Sequence, residues 1–258
     1  MHDGTDTGTG FGGPPPPEPS EPRLTVTQRF ILIFTQPRAA FLGLRGDRWA
    51  WLWPALLIGL VLSAAPQFVA DLHFEKQMRS IDALEDKGLL VPEGAQEARD
   101  RLAEREDETD PGRMALMIGL GVASTVLLRF MLPAALLLLG VRFVMEGRAG
   151  YPAVLAAMSY SALPAALREI IRTPLQMAKG SLDVTFSPAV LTGTETVGGY
   201  ALSLLDLFDL WILWLLILGL ARVGPISTKR AAALVLPLWL IYSLVKIGIK
   251  ASPFGAGF

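Results

Sequence analysis

Long apolar stretches alternate with charge-dense segments along this chain of 258 residues. Five of the stretches are close to, or longer than, the roughly 20 residues that a helix needs to cross a bilayer. The predicted spans are residues 51–70, 114–145, 151–171, 200–220 and 231–249. The pattern therefore predicts an all-α membrane protein in which residues 49–252 form a bundle of five transmembrane helices.

The polar segments predict structure outside the bilayer. In residues 71–113, apolar side chains recur at near-helical spacing, and Lys87-Gly88 interrupts them. This pattern predicts an extramembrane helical hairpin between the first and second spans. Residues 1–22 are rich in Gly and Pro and cannot bury enough apolar surface to fold, so we expect a disordered tail.

Residues 23–48 leave two interpretations open. They combine apolar side chains with Arg29, Arg38 and Arg45, and Pro37 interrupts the segment. The segment is too short to span a bilayer. It is either an interfacial amphipathic segment whose arginines face lipid phosphates, or a helix packed on the cytoplasmic face of the protein itself.

The composition supports the membrane interpretation and narrows the chemistry. The chain is 52% hydrophobic and 18% charged, and its mean hydropathy is +0.43. A net charge of −1 gives no reason to expect a nucleic-acid partner. The chain has no cysteine, and its two histidines, His2 and His73, are far apart in sequence. We therefore predict no metal, no cofactor and no catalytic residue.

The basic residues predict an orientation, although they do not all agree. Arg38, Arg45 and Arg48 crowd the start of the first span, and the short turns after the second and fourth spans are also basic. Because the first span usually dominates, we expect a cytoplasmic N-terminus and an external C-terminus, in a bacterial inner membrane. The loop 71–113 opposes this orientation, since it carries many Lys and Arg residues itself.

Small residues recur along the third predicted span. They fall every four residues, so they form one stripe on a helix: Ala153, Ala157, Ser161 and Ala165. Such stripes let membrane helices approach closely. The third span is therefore predicted to lie at the centre of the bundle.

Ionisable side chains within or near the spans are the candidates for function, because charges in hydrocarbon are costly. They are Arg129, Arg168, Glu169, Asp206 and Asp209. Matched depth and opposite sign predict a structural network in which Asp206 pairs with Arg168 and Asp209 pairs with Arg129. An ion or proton pathway is the main alternative. An aspartyl hydrolase is a weaker one, because both aspartates belong to one predicted helix.

The sequence resembles the Yip domain family of five-span membrane proteins, and in particular its bacterial branch. The resemblance covers residues 26–250 and rests on three stretches: FTQPRAAFLGL, GRAGYPAVLAAMSYSALPAAL and DLFDLWILWLLILGLARVGPISTKRAAALVLPLWL. It implies a polytopic membrane protein without known catalytic residues. Residues 1–25 lack the acidic motif of the eukaryotic members, which argues against binding of a Rab-type GTPase.

These features together predict a non-enzymatic membrane protein that organises the membrane or recruits partners. Its expected partners are the lipid bilayer, further copies of itself and other membrane proteins. The alternative is a small transporter or channel subunit that uses Asp206, Asp209 and Arg129.

The predicted orientation is tested by reporters at the two termini. We expect a fluorescent protein fused at Met1 to fluoresce in the cytoplasm, and alkaline phosphatase fused after Phe258 to be active outside. Both fusions must leave the protein in the membrane fraction. A cytoplasmic readout from the C-terminal fusion would contradict the odd number of spans.

Overall fold

The fold is helical throughout the part of the chain that the computed structural model describes, which is residues 24–107, 110–194 and 196–251. No strand occurs in these ranges. The expected disordered tail, residues 1–22, lies outside them. Four helices are long and apolar enough to cross a membrane, and a bent pair of helices makes a fifth if it is counted as one span.

The chain enters the bundle through two short helices, α1 (Val26–Thr35) and α2 (Pro37–Ala40). Thr25 and Gln28 form a reciprocal capping box that starts α1. Of the two interpretations of residues 23–48, the one in which the arginines face lipid phosphates does not hold for Arg29. Its side chain is buried, and its Nη1 donates to the carbonyl oxygens of Ala40 and Leu42, each at 2.7 Å.

The first apolar helix runs unbroken from the bilayer into the polar segment. Helix α3 (Leu52–Ala64) passes through a 3₁₀ turn (Ala65–Val69) into α4 (Ala70–Asp86), which gives one unit of 35 residues. Helix α5 (Pro92–Asp107) folds back against α4. Arg99 joins the two, because it donates to Asp82 at 2.7 Å and to Glu85 at 2.6 Å. These hydrogen bonds raise the pKa of the Arg99 guanidinium.

The second apolar helix covers 34 residues and contains two π-helical segments. Helix α6 (Pro111–Ser124) continues as a π-helical segment (Thr125–Met131), then as α7 (Leu132–Leu139) and a second π-helical segment (Gly140–Val144). Pro133 has no N–H to donate, and the π winding accommodates the resulting gap in the ladder. Arg129 lies in the first π-helical segment.

The third apolar helix is the most enclosed. It consists of α8 (Tyr151–Ser161) and α9 (Leu163–Lys179), with a break at Ala162 just before Pro164. Its most apolar window is 72% buried, whereas the corresponding windows of the first, second and last apolar helices are 28%, 17% and 17% buried. The stripe residues are all buried: Ala153, Ala157, Ser161 and Ala165.

The fourth predicted span, residues 200–220, is not one straight helix. Helix α10 (Val197–Ser203) and α11 (Leu207–Val223) meet at an angle of 47°. The break falls at Asp206, which is the N-cap of α11 rather than a residue inside a helix. Helix α12 (Thr228–Ala251) follows and packs against both α11 and α10.

The two ends of the bundle differ in chemistry. At one end, here called the basic end, Arg45 Nε donates to the carbonyl of Val223 at 2.9 Å, and the Arg148 N–H donates to that of Gly224 at 3.2 Å. Arg142, Arg222 and Arg230 also lie at helix ends on this side. The opposite end, here called the hairpin end, carries α4 and α5. It also carries α10, because α10 packs against the last turns of α12, where Lys250 lies over the Tyr200 ring.

Gly219 sets how closely α11 approaches the third apolar helix. A Cβ there would lie 2.9 Å from Cε1 of the buried Phe41 and 3.1 Å from Cβ of Ala157. We expect Gly219→Leu to destabilise the fold by about 1–3 kcal/mol, because overpacking forces side chains off their rotamers. The measurement is the temperature at which the detergent-solubilised protein loses its monodisperse chromatographic peak. Gly119→Leu is the matched control, since a Cβ at Gly119 meets nothing within 4 Å.

Candidate functional site

Asp206 lies at the break between α10 and α11, where its side chain can cap the start of α11. A residue inside a continuous helix could not take this position. Asp206 Oδ1 accepts a hydrogen bond from the Phe208 N–H at 2.8 Å, and the side chain is buried. The Phe186 ring packs edge-on against Phe208 with centroids 5.2 Å apart, and the Phe186 carbonyl accepts from the Leu207 N–H. A carboxylate therefore caps the positive end of α11 in an apolar surrounding.

Arg168 of α9 is the centre of the ion-pair network. Its Nη1 donates to Asp209 Oδ1 at 2.9 Å and lies 3.6 Å from Asp206 Oδ1. The shorter contact is a charge-assisted hydrogen bond, whereas the longer one is an ion pair. One guanidinium thus holds both carboxylates at the start of α11. The Asp206–Arg168 pair is the one that matched depth predicts.

Glu169 extends the network along α9. Its Oε1 lies 3.5 Å from Arg168 Nε, and its Oε2 lies 3.3 Å from Arg172 Nη2. The Nε atoms of Arg168 and Arg172 are buried and donate to no acceptor among the described residues. Arg172 stands with Arg168 and Glu169 at the end of the third predicted span, and its spacing of three from Glu169 on a helix is a sequence signal for such a pair.

The predicted pair between Asp209 and Arg129 is wrong. Asp209 is bound to Arg168, and no described carboxylate lies within 4.0 Å of the Arg129 guanidinium. The physical reason is the break at Asp206, which brings the start of α11 against α9. The predicted pair required one continuous helix through Asp206, on which Asp209 would face the second apolar helix rather than α9.

Arg129 and Asp209 nevertheless line one cavity. Its volume is about 650 Å³, and it lies between the first π-helical segment, α9, α11 and α12. Helix α12 contributes Tyr242, Ser243 and Lys246 to its wall. These three residues were not predicted as site residues, because nothing in their spacing distinguishes a cavity wall from a lipid-facing surface.

The network is best suited to holding helices together. All three carboxylates are already engaged by guanidinium groups, and Asp206 also caps a helix. Removing one partner from a buried ion pair costs about 3–5 kcal/mol, because the other charge is left uncompensated. Among the described residues, no group of three or more His, Cys, Asp or Glu side chains is arranged to hold a metal ion.

Comparison with known proteins gives a match at the level of a family. A sequence model of the Yip1 domain matches residues 31–249, which include every ionisable residue of the network. No curated protein and no solved structure matches the chain significantly. The match and the apolar helices together show an integral membrane protein.

A double-mutant cycle tests which basic residue Asp209 engages. We expect Asp209→Asn and Arg168→Gln to show a coupling energy of about 1 kcal/mol or more in stability, as contacting charges do. The same cycle with Arg129→Gln is the control and should show a smaller coupling, because Arg129 makes no ion pair with Asp209. Thermal unfolding in detergent is the measurement. A larger coupling with Arg129 than with Arg168 would contradict the geometry.

Proposed function

The chain belongs to the Yip1 domain family, and from this premise we propose that it is a non-enzymatic scaffold that organises a membrane or recruits partners to it. The family match confirms the resemblance seen in the sequence. In this proposal α10 and α11 count as one bent span, which gives five spans in a bacterial inner membrane with the N-terminus in the cytoplasm.

The observation that carries the proposal is the contrast between the enclosed third apolar helix and the open faces around it. Large apolar side chains stand exposed on the outer helices, for example Leu136 (56%) on α7 and Leu240 (52%) on α12. Such faces suit lipid or other membrane helices, since helices in a bilayer associate by packing rather than by the hydrophobic effect. The polar network, by contrast, points inward and ties α9 to α11.

The N-terminal helix suits attachment to the membrane surface. Ile33 of α1 is buried in the core, whereas Ile31 and Phe34 are exposed at 59% and 40%. The Phe34 ring still packs edge-on against Trp211 of α11, with centroids 5.5 Å apart, so Ile31 is the apolar side chain that faces outward toward the headgroup boundary. In this proposal α1 packs on the protein through Ile33 and meets the membrane surface through Ile31, while Arg29 takes no part in binding lipid phosphate.

A small transporter or channel subunit is the second candidate. The cavity lined by Arg129, Arg168 and Asp209 favours it, because polar cavities within bundles mark solute pathways in many membrane proteins. In proteoliposomes, flux that falls with Asp209→Asn or Arg129→Gln would support this candidate over the scaffold.

The scaffold proposal is tested by crosslinking, and the absence of native cysteine makes the experiment clean. We expect single cysteines at the exposed Leu136 or Leu240 to form disulfide-linked homodimers, or crosslinks to partners identified by mass spectrometry, in native membranes. Val154→Cys is the control, because that position is fully buried. No crosslink from either exposed face, together with flux that depends on Asp209, would overturn the proposal.

A further inference from the structure

The cavity beside the ion-pair network carries more positive than negative charge. Arg129, Arg168 and Lys246 line it together with one carboxylate, that of Asp209. Arg168 is already bound to the carboxylates of α11. Neither Arg129 nor Lys246 has a described carboxylate within 4.0 Å, although the Lys246 ammonium lies 5.3 Å from the centroid of the Tyr242 ring. Two cations therefore face the cavity without an ion pair of their own, and the one carboxylate in its wall is bound to Arg168.

A buried hydroxyl in the same wall has no partner. Ser243 is 4% exposed, and its Oγ makes no hydrogen bond with any described residue. Buried hydroxyl groups nearly always find a partner, since leaving one unpaired forfeits its solvation. Ser243 lies one turn before Lys246 on α12, so a ligand held by the ammonium group would also be within reach of the hydroxyl.

The depth of the cavity matches that of lipid headgroups. Arg129 is 13 residues from Arg142, and Lys246 is 16 residues from Arg230, both of which lie at the basic end. At 1.5 Å per residue these separations are roughly 20 and 24 Å. A hydrocarbon core is about 30 Å thick. Lys246 therefore lies roughly 6 Å and Arg129 roughly 10 Å inside the far edge, distances over which long basic side chains extend toward the phosphates on the hairpin side.

The cavity also opens sideways. Leu128 and Tyr242 form parts of its wall and are exposed at 61% and 59%. They flank Arg129 on one side and Ser243 on the other, on helices whose outer faces are apolar. A molecule that enters between these helices would bring acyl chains against the apolar faces and its polar part against the cations.

We propose that this cavity binds the phosphodiester headgroup of an anionic phospholipid from the hairpin-end leaflet. The planar Arg129 guanidinium donates to two phosphate oxygens, the Lys246 ammonium supplies a second positive charge, and the Ser243 hydroxyl donates to a further oxygen. The chemistry recognised is a phosphate oxyanion, and inorganic phosphate is its other possible source. The inference does not depend on the scaffold role.

The test uses the full chain in nanodiscs that contain equal amounts of phosphatidylglycerol and phosphatidylcholine, with native mass spectrometry of the lipids retained. We expect the protein to retain phosphatidylglycerol in preference. Arg129→Gln combined with Lys246→Gln should weaken that preference by about tenfold or more, as expected for the loss of two basic contacts. Lys246→Gln alone should reduce it in the same direction.

Two controls separate binding from folding. Arg129→Lys combined with Lys246→Arg keeps both charges and should retain more of the preference than the double Gln variant, losing only what the bidentate geometry of Arg129 adds. Lys250→Gln removes a charge one turn away that does not line the cavity, and it should change nothing. Equal retention of the two lipids by the unmodified protein, or full retention by the double Gln variant, would overturn the proposal.

A separate arm uses inorganic phosphate at millimolar concentration with nanodiscs of phosphatidylcholine alone. If phosphate adducts form and depend on Arg129 and Lys246 while phosphatidylglycerol shows no preference, the site takes a free anion and the lipid assignment is wrong. If phosphate does not bind and phosphatidylglycerol is retained, the lipid assignment stands.

Discussion

Arg168 is held between the carboxylates of α11 and its neighbour on α9, and the hairpin end of the bundle depends on this arrangement. A guanidinium at this depth is costly unless opposite charges reach it. The two aspartates provide that charge because the chain breaks at Asp206 and turns the first residues of α11 toward α9. The same carboxylate that caps the helix thus also stabilises the cation. The bend in the fourth apolar helix therefore also provides the negative charge that compensates Arg168.

Close packing of small residues organises the rest of the bundle. Ala157 and Gly219 meet at the contact between α8 and α11, and Phe41 closes it from the N-terminal segment. Because neither Ala nor Gly loses side-chain entropy on packing, this seam brings three parts of the chain together at little entropic cost. The outer helices pack around it and leave their remaining apolar surface to the bilayer.

The sequence predicted the apolar helices well, because long stretches of Leu, Ile and Val have no other stable state than a buried or membrane-embedded helix. It did not predict the break at Asp206. In SLLDLFDL the hydrophobicity is continuous, and an Asp reads the same in a helix interior as at an N-cap. Wherever the chain path depended on that break, the prediction failed, as for the partner of Asp209.

The interpretation of Arg29 as a charge that faces lipid was wrong for a related reason. From sequence, an arginine in an amphipathic segment reads as a surface charge, and only the fold shows that the carbonyl groups of Ala40 and Leu42 turn inward to receive it. Partners that are backbone atoms leave no mark on composition or spacing. The cavity wall could not be predicted either, because Ser243 and Lys246 line it together with residues of helices that are distant in sequence.

The unbroken helix from Leu52 to Asp86 has a mechanical consequence. At 1.5 Å per residue it is a rod of roughly 52 Å, of which more than a third stands beyond the hydrocarbon core. Helix α5 packs against this rod and Arg99 joins the two, so the hairpin is connected directly to the first apolar helix. We therefore expect a partner that binds the hairpin to act directly on the position of the first apolar helix.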